Sequence, residues 1–232
     1  MMKYNVVLIA AAVIPAIFLM VRAYRSDRLE SESKLMLWSL VKAGVFSSLI
    51  ALVAERIFGA VLNMTVDSGS SLYPVILYFG IVAFSEEGAK YFMLKRKSWL
   101  SPEFNCQYDG VIYALFVSLG FALWENISYV MTYGFAIAVV RAVTAIPGHS
   151  CFGVFMGIFY GAAKKYDNMG NETQSKKMRV LSVLLPALIH GAYDYIATTG
   201  NGTSQFVVFI AVLFVVSYIL VKRASKNDRY IG

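Results

Sequence analysis

Both histidines of the chain and several of its acidic residues lie inside apolar stretches and not in polar loops. They are Glu86, Glu87, Glu125, His149, His190 and Asp194. An ionisable side chain is costly in hydrocarbon, so such residues usually face the protein interior and carry a function. Together, carboxylates and imidazoles can activate water, stabilise an oxyanion and protonate a leaving amine. These are the requirements of peptide-bond hydrolysis.

The spacing of these residues predicts that they share a site. Glu86 and Lys90 are four residues apart, as are His190 and Asp194, and residues four apart lie on one face of a helix. A helical rise of 1.5 Å per residue places the acids and histidines about 10 to 22 Å from the predicted cytoplasmic ends of their spans. The groups are therefore expected to occupy one layer of the molecule.

One mechanism that these residues could support needs no metal. Glu87 or Glu86 would deprotonate water, and His149 or His190 would donate a proton to the oxyanion. We expect the larger loss of activity on substitution of Glu87, although helix phase barely separates the two glutamates. No His-Glu-x-x-His segment occurs, and no serine or cysteine has a convincing neighbouring base.

The second mechanism uses a divalent metal, for which zinc is the candidate. His149 and His190 would bind it together with one carboxylate among Glu87, Glu125 and Asp194, and a water molecule would take the fourth position. The surplus of carboxylates, which would repel one another in a low dielectric, slightly favours this mechanism. Spacing alone does not choose between the two.

Other polar residues in the apolar stretches have either a substrate-binding or a structural role in this interpretation. They are Lys90, Asn126 and Arg141. Arg141 could pair with Glu125 or bind a carbonyl of the substrate, and pairing is favoured. Glu55 is interpreted as a residue that reaches the membrane interface.

The elements that must position these residues are membrane-spanning helices. The chain is 58% hydrophobic and 15% charged, which argues against an ordinary soluble domain. Apolar stretches long enough to cross about 30 Å of hydrocarbon recur along it. The predicted spans are 4–22, 35–62, 72–94, 110–131, 134–163, 179–198 and 204–221. The expected fold is an all-α, polytopic transmembrane helical bundle that forms a single domain over residues 1–232.

The distribution of basic residues predicts the orientation of this bundle. Lys and Arg follow the first, third, fifth and seventh spans, whereas the other connections contain none. Because cytoplasmic loops collect Lys and Arg, the N-terminus is predicted outside and the C-terminus in the cytoplasm. The net charge of +7 is thus explained by topology, and no nucleic-acid partner is expected.

Four segments resemble the motifs of a known family, the PrsW bacterial membrane proteases. Residues 86–90, Glu-Glu-Gly-Ala-Lys, resemble its EExxK motif, and residues 121–125 resemble its FxxxE motif. Residues 147–153 are similar to its histidine-bearing helix, and residues 190–194 resemble its HxxxD motif. The motifs occur in the family's order and cover roughly residues 72–198.

The resemblance implies an intramembrane protease of a bacterial cytoplasmic membrane, related to the type II CAAX prenyl endopeptidases. It also implies a substrate: a single-span anti-sigma factor, whose first, outer-side cut leads to release of an extracytoplasmic-function sigma factor. Glu125 stands where the prenyl proteases have histidine, and Asp194 where they commonly have asparagine, which argues against a prenylated substrate. An ion- or proton-coupled transporter is the alternative function, because transporters also place acids and histidines at mid-membrane.

Overall fold

A computed structural model describes residues 2–27, 29–199 and 203–231, and this part of the chain is helical without a β-strand. The helices are α1 (Met2–Tyr24), α2 (Lys34–Thr65), α3 (Leu72–Val75), a π-helix (Ile76–Val82), α4 (Ala83–Ser98), α5 (Asp109–Tyr133), α6 (Phe135–Val143), α7 (Ala145–Asn168), α8 (Glu172–Thr199) and α9 (Thr203–Lys226). The predicted all-α fold is confirmed. Six segments of the described chain are long and apolar enough to cross a membrane.

The predicted third span is a continuous helical run with a change of geometry inside it. It consists of α3, the π-helix and α4, and the backbone N–H of Ala83 donates to the carbonyl of Tyr78, five residues earlier. An α-helix would use the carbonyl four residues earlier. The sequence predicted a helix here but not its π-helical part.

The predicted fifth span, 134–163, corresponds to a segment, Phe135–Asn168, that is long and apolar enough to cross a membrane, and this segment is made of two helices. α6 follows α5 after Gly134, whose φ of 84° lies in the region that favours glycine and lets the chain reverse. The chain then breaks at Thr144, with φ −120° and ψ −72°, before α7 begins. Arg141 and His149 therefore lie on two consecutive helices, α6 and α7.

Helix α5 is the central helix of the bundle and is buried along most of its length. Glycines let the neighbouring helices approach it closely. A Cβ atom on Gly44 of α2 would collide with the backbone of α5, and one on Gly157 of α7 would do the same. Small residues at helix contacts are the usual means of close packing in membranes.

The connections that carry the basic residues meet at one end of the bundle, which we call the basic end. Ser33, before α2, donates its hydroxyl to Glu103 in the α4–α5 connection at 3.1 Å. The N–H of Gln107 donates to the carbonyl of Arg229, after α9, at 3.1 Å. The structure thus brings together the connections that the sequence predicts to be cytoplasmic.

Candidate active site

Two consecutive glutamates of α4 point into the bundle and share one lysine. The side chain of Glu86 is 8% exposed, and those of Glu87 and Lys90 are fully buried. The ammonium of Lys90 donates to Glu87 Oε1 at 2.7 Å and to Glu86 Oε2 at 3.3 Å. The positive charge therefore compensates two carboxylates that would otherwise repel each other.

The same ammonium also contacts α7 and α5. Lys90 Nζ lies 3.1 Å from Nδ1 of His149, and it lies 4.0 Å from the centre of the Phe121 ring, a cation–π contact. Lys90 is thus the point at which α4, α5 and α7 meet. We call Glu86, Glu87, Lys90, His149 and His190 the active-site cluster.

Helix α8 contributes the second histidine. His190 Nδ1 lies 3.0 Å from Glu87 Oε1, and its Nε2 lies 3.4 Å from Asp194 Oδ2 and 3.9 Å from Glu86 Oε2. The rings of the two histidines are 5.4 Å apart. The predicted pairing of His190 with Asp194 on one helix face is present, and it orients the imidazole between two carboxylates.

Glu125, on α5, lies on the other side of His149. Its Oε2 lies 2.8 Å from His149 Nε2 and accepts a hydrogen bond from Arg141 at 2.8 Å. Arg141 also donates to Asn126, whose own amide donates to the carbonyl of Ala12 on α1. Arg141 thus makes the pairing that the sequence favoured, and the hydrogen bonds of Asn126 join α5 to α1 and α6.

Four residues offer ligand atoms that lie within 4.8 Å of one another: Glu86, Glu87, His149 and His190. Glu125 and Asp194, which the sequence offered as further ligands, are not in this group and contact the histidines instead. Carboxylates in this position commonly orient metal-binding imidazoles. Glu86, which was not among the predicted ligands, joins the group.

The donor set fits a divalent metal such as zinc. Two imidazoles and a carboxylate are a known catalytic ligand set. Glu87 Oε2 is buried and has no hydrogen-bond partner in the described chain, so it is free to bind a cation. The ammonium of Lys90 contacts three of the four residues, and a metal bound at Nδ1 of His149 would require it to turn away.

Glu55 of α2 also belongs to this region, and the sequence interpretation missed it. Glu55 interacts electrostatically with Glu125 and Asp194 and also with Lys90, whereas it was expected at the membrane interface. A usable signal was Ala51, one helical turn earlier, which packs with Ala89 and Phe121 beside the active-site cluster. Residues four apart share a helix face, so Glu55 follows Ala51 inward.

Comparison with known proteins identifies the family. A family model described as PrsW family intramembrane metalloprotease matches residues 32–221. Protease PrsW of Halalkalibacterium halodurans is 33% identical over 224 residues, 96% of this chain and 99% of that protein. Protease PrsW of Oceanobacillus iheyensis is 31% identical, covering 95% and 97%. That of Bacillus subtilis is 30% identical, covering 97% of each.

No solved structure matches the chain. The relatives named above are all called proteases, which favours an enzyme over the transporter alternative. The apolar helices make the chain a multi-pass membrane protein, and its donor set agrees with the metal in the family's description. The chain therefore belongs to the PrsW family of intramembrane metalloproteases and is an endopeptidase.

Proposed function

We propose that this endopeptidase makes the first cut in a single-span anti-sigma factor and thereby activates an extracytoplasmic-function sigma factor. The observation that supports hydrolysis most directly is the pair of buried glutamates in contact with two histidines around Lys90. The substrate comes from the resemblance of the four motifs to those of PrsW proteases. A site enclosed by spanning helices suits a substrate that is itself in the membrane.

Within the proposal, Glu86 is the general base and Glu87 is a fixed ligand. Glu87 is fully buried and accepts hydrogen bonds from Lys90 and His190, which hold its carboxylate in place. The side chain of Glu86 is 8% exposed, and its contacts are longer, at 3.3 Å to Lys90 and 3.9 Å to His190. A general base must reach the water that it deprotonates, and Glu86 has the freedom to do so.

In the same scheme, neighbouring carboxylates hold the rings of both histidines in a fixed orientation. Glu125 fixes His149 through Nε2, which leaves Nδ1 directed at the cluster. Asp194 and Glu87 fix the ring of His190 from two sides.

His149, His190 and Glu87 are the residues that would hold the metal. When bound, zinc would polarise the scissile carbonyl and make its bound water a stronger nucleophile.

The proposal is tested with Glu86→Gln and Glu87→Gln in the purified, detergent-solubilised chain. Each amide keeps the size of the side chain but can act neither as a base nor as an anionic ligand, so cleavage of a single-span anti-sigma factor should fall about 100-fold or more. Zinc content, about one ion per chain in the unsubstituted protein, should persist in Glu86→Gln and fall in Glu87→Gln. Glu172→Gln, at an exposed glutamate of α8, is the matched control.

Full activity of both glutamine variants would contradict the proposed site. Loss of zinc from Glu86→Gln with retention by Glu87→Gln would reverse the two roles. If the unsubstituted enzyme cleaves other single-span proteins but leaves anti-sigma factors intact, the substrate assignment is wrong and the protease remains.

A further inference from the structure

A second group of acids lies far from the active-site cluster, at the basic end. It comprises Asp27 in the α1–α2 connection, Glu32 just before α2 and Asp109 at the start of α5, and one ligand oxygen of each lies within 4.8 Å of the others. We call this group the acidic cap. Asp109 is sixteen residues from Glu125 along α5, a distance of about 24 Å, so the acidic cap is separate from the catalytic residues.

Two carboxylates of the acidic cap are buried, and in each of them only one of the two oxygens accepts a hydrogen bond from the described residues. Asp109 is 0% exposed, and its Oδ2 accepts the N–H groups of Asn105 and Cys106 at 3.0 and 2.7 Å. Glu32 is 5% exposed, and its Oε2 accepts the hydroxyl of Tyr113 at 2.6 Å. These donors fix both carboxyl groups in place.

The remaining oxygens of these carboxylates are the ones that a ligand would satisfy. Glu32 Oε1 and Asp109 Oδ1 are buried, and no N–H or O–H group of the described chain donates to them. An unsatisfied buried acceptor is unfavourable, and more so when it is charged. Asn105 Oδ1, in the loop that holds Asp109, is a third buried oxygen without a donor.

Among the residues that the structure describes, neither Glu32 nor Asp109 forms an ion pair with Lys, Arg or His. The charged neighbours of Asp109 include the carboxylates of Glu32 and Asp27. Buried acids this close repel one another unless a cation or a proton compensates them.

We propose that the acidic cap binds a hard divalent cation, with oxygens of Asp27, Glu32 and Asp109 as ligands. Carboxylate and amide oxygens without any nitrogen or sulfur suit Mg²⁺, Mn²⁺ or Ca²⁺ and not the zinc of the catalytic site. Because the ligands come from the α1–α2 connection and from α5, the cation fastens these two segments. It is a second, structural metal site of the protease.

A shared proton is the competing way to neutralise the acidic cap, because Glu32 and Asp109 lie within hydrogen-bonding reach of each other. The two possibilities differ in their response to added metal. A cation site predicts specific binding and a higher unfolding temperature, whereas a shared proton predicts no response.

The experiment uses the purified full chain loaded with zinc, because zinc binds more tightly than Mn²⁺ to nitrogen and oxygen ligands and keeps it out of the catalytic site. Electron paramagnetic resonance should detect about one bound Mn²⁺ per chain. Saturating Mn²⁺ should raise the midpoint of thermal unfolding by about 5 °C. Mg²⁺ and Ca²⁺ are tested for the same shift and for displacement of the Mn²⁺ signal.

Glu32→Gln and Asp109→Asn should both lose Mn²⁺ binding and the thermal shift, while Glu172→Gln, at an exposed acid of the same end, should keep them. If Asp109→Asn does not fold, Glu32→Gln and the unsubstituted protein still decide the question. The proposal is overturned if the unsubstituted chain binds no Mn²⁺ and its unfolding is insensitive to all three ions. Undiminished binding by Glu32→Gln would overturn it as well.

Discussion

The ammonium of Lys90 and a catalytic metal ion would repel each other, because both would be bound by the same side chains. The ammonium lies 3.1 Å from His149 Nδ1 and 2.7 Å from Glu87 Oε1, which are both atoms of the donor set. Two unit charges 4 Å apart interact by about 4 kcal/mol at an effective dielectric constant of 20, and a divalent ion doubles this. Lys90 therefore opposes metal binding while it stabilises the metal-free form.

Replacing this lysine should tighten zinc binding. We expect the zinc dissociation constant of Lys90→Met to fall about tenfold or more, because even about 1.4 kcal/mol of relieved repulsion has that effect. Competition with a chromogenic chelator in detergent measures the constant. Lys97→Met, at an exposed lysine of the same helix, should leave it unchanged. Weaker zinc binding by Lys90→Met would show that the lysine organises the ligands and does not compete with the metal.

That the candidate site residues lie near one another could be predicted from the sequence, whereas several of their contacts could not. An acid or histidine inside an apolar stretch is conspicuous because of its desolvation cost, and the structure brings all six predicted residues into one connected region. The contact of Lys90 with His149 joins residues far apart in sequence and depends on how α4 packs against α7. Glu55 was missed because its position near a span end resembled that of an interfacial residue.

At the level of helices, the approach of α2 to α5 depends on glycines. A Cβ atom on Gly120 would collide with the backbone of Val41, whose Cα would lie only 3.0 Å away. Backbone atoms cannot turn aside as a flexible side chain can, so the helices would have to separate. We expect Gly120→Ala to lower the free energy of unfolding by about 1–3 kcal/mol.

The control for Gly120→Ala is Gly59→Ala in α2, where an added Cβ meets nothing within 4 Å. Alanine there should stabilise the helix by about 0.5–1 kcal/mol, because it restricts the unfolded backbone. The two substitutions are thus expected to have opposite signs in the same unfolding assay. Equal effects would mean that the close contact of α2 with α5 does not contribute to stability.

The bounds of most helices could be predicted from the sequence to within a few residues, but the interruptions within the predicted spans could not. Long apolar stretches define spans because the membrane sets their minimum length. The break at Thr144 had one unused signal: Pro147 is the third residue of α7, and proline is tolerated in the first turn of a helix. Pro15 and Pro186, by contrast, lie inside α1 and α8 without ending them.

For the whole molecule, the orientation in the membrane remains a prediction. A cysteine at Ser68, an exposed residue of the α2–α3 connection, should react with an impermeant thiol reagent added to intact cells. A cysteine at Met169, which is 67% exposed after α7, should react only after the cells are opened. The reverse pattern would overturn the predicted orientation.

The native thiols make a clean background for this labelling but a poor control. Native Cys106 lies in the α4–α5 connection, but it is fully buried, and burial raises the pKa of its thiol well above the usual range. Because the thiolate is the reactive form, Cys106 should stay unlabelled on either side of the membrane. Met169→Cys is therefore the informative reporter for the basic end.

The π-helix before α4 has a consequence for how this protease tolerates changes in length. A π-helical turn holds about one residue more than an α-helical turn, so losing one residue from Ile76–Val82 would convert a π-helical turn to an α-helical turn and leave α3 facing the same neighbours. The carboxylates of α4 follow the π-helix and are held by Lys90 and His190, so they would stay in place. The segment is thus the place in this helical run where one residue can be lost while α3 and α4 keep the faces that they present to the bundle.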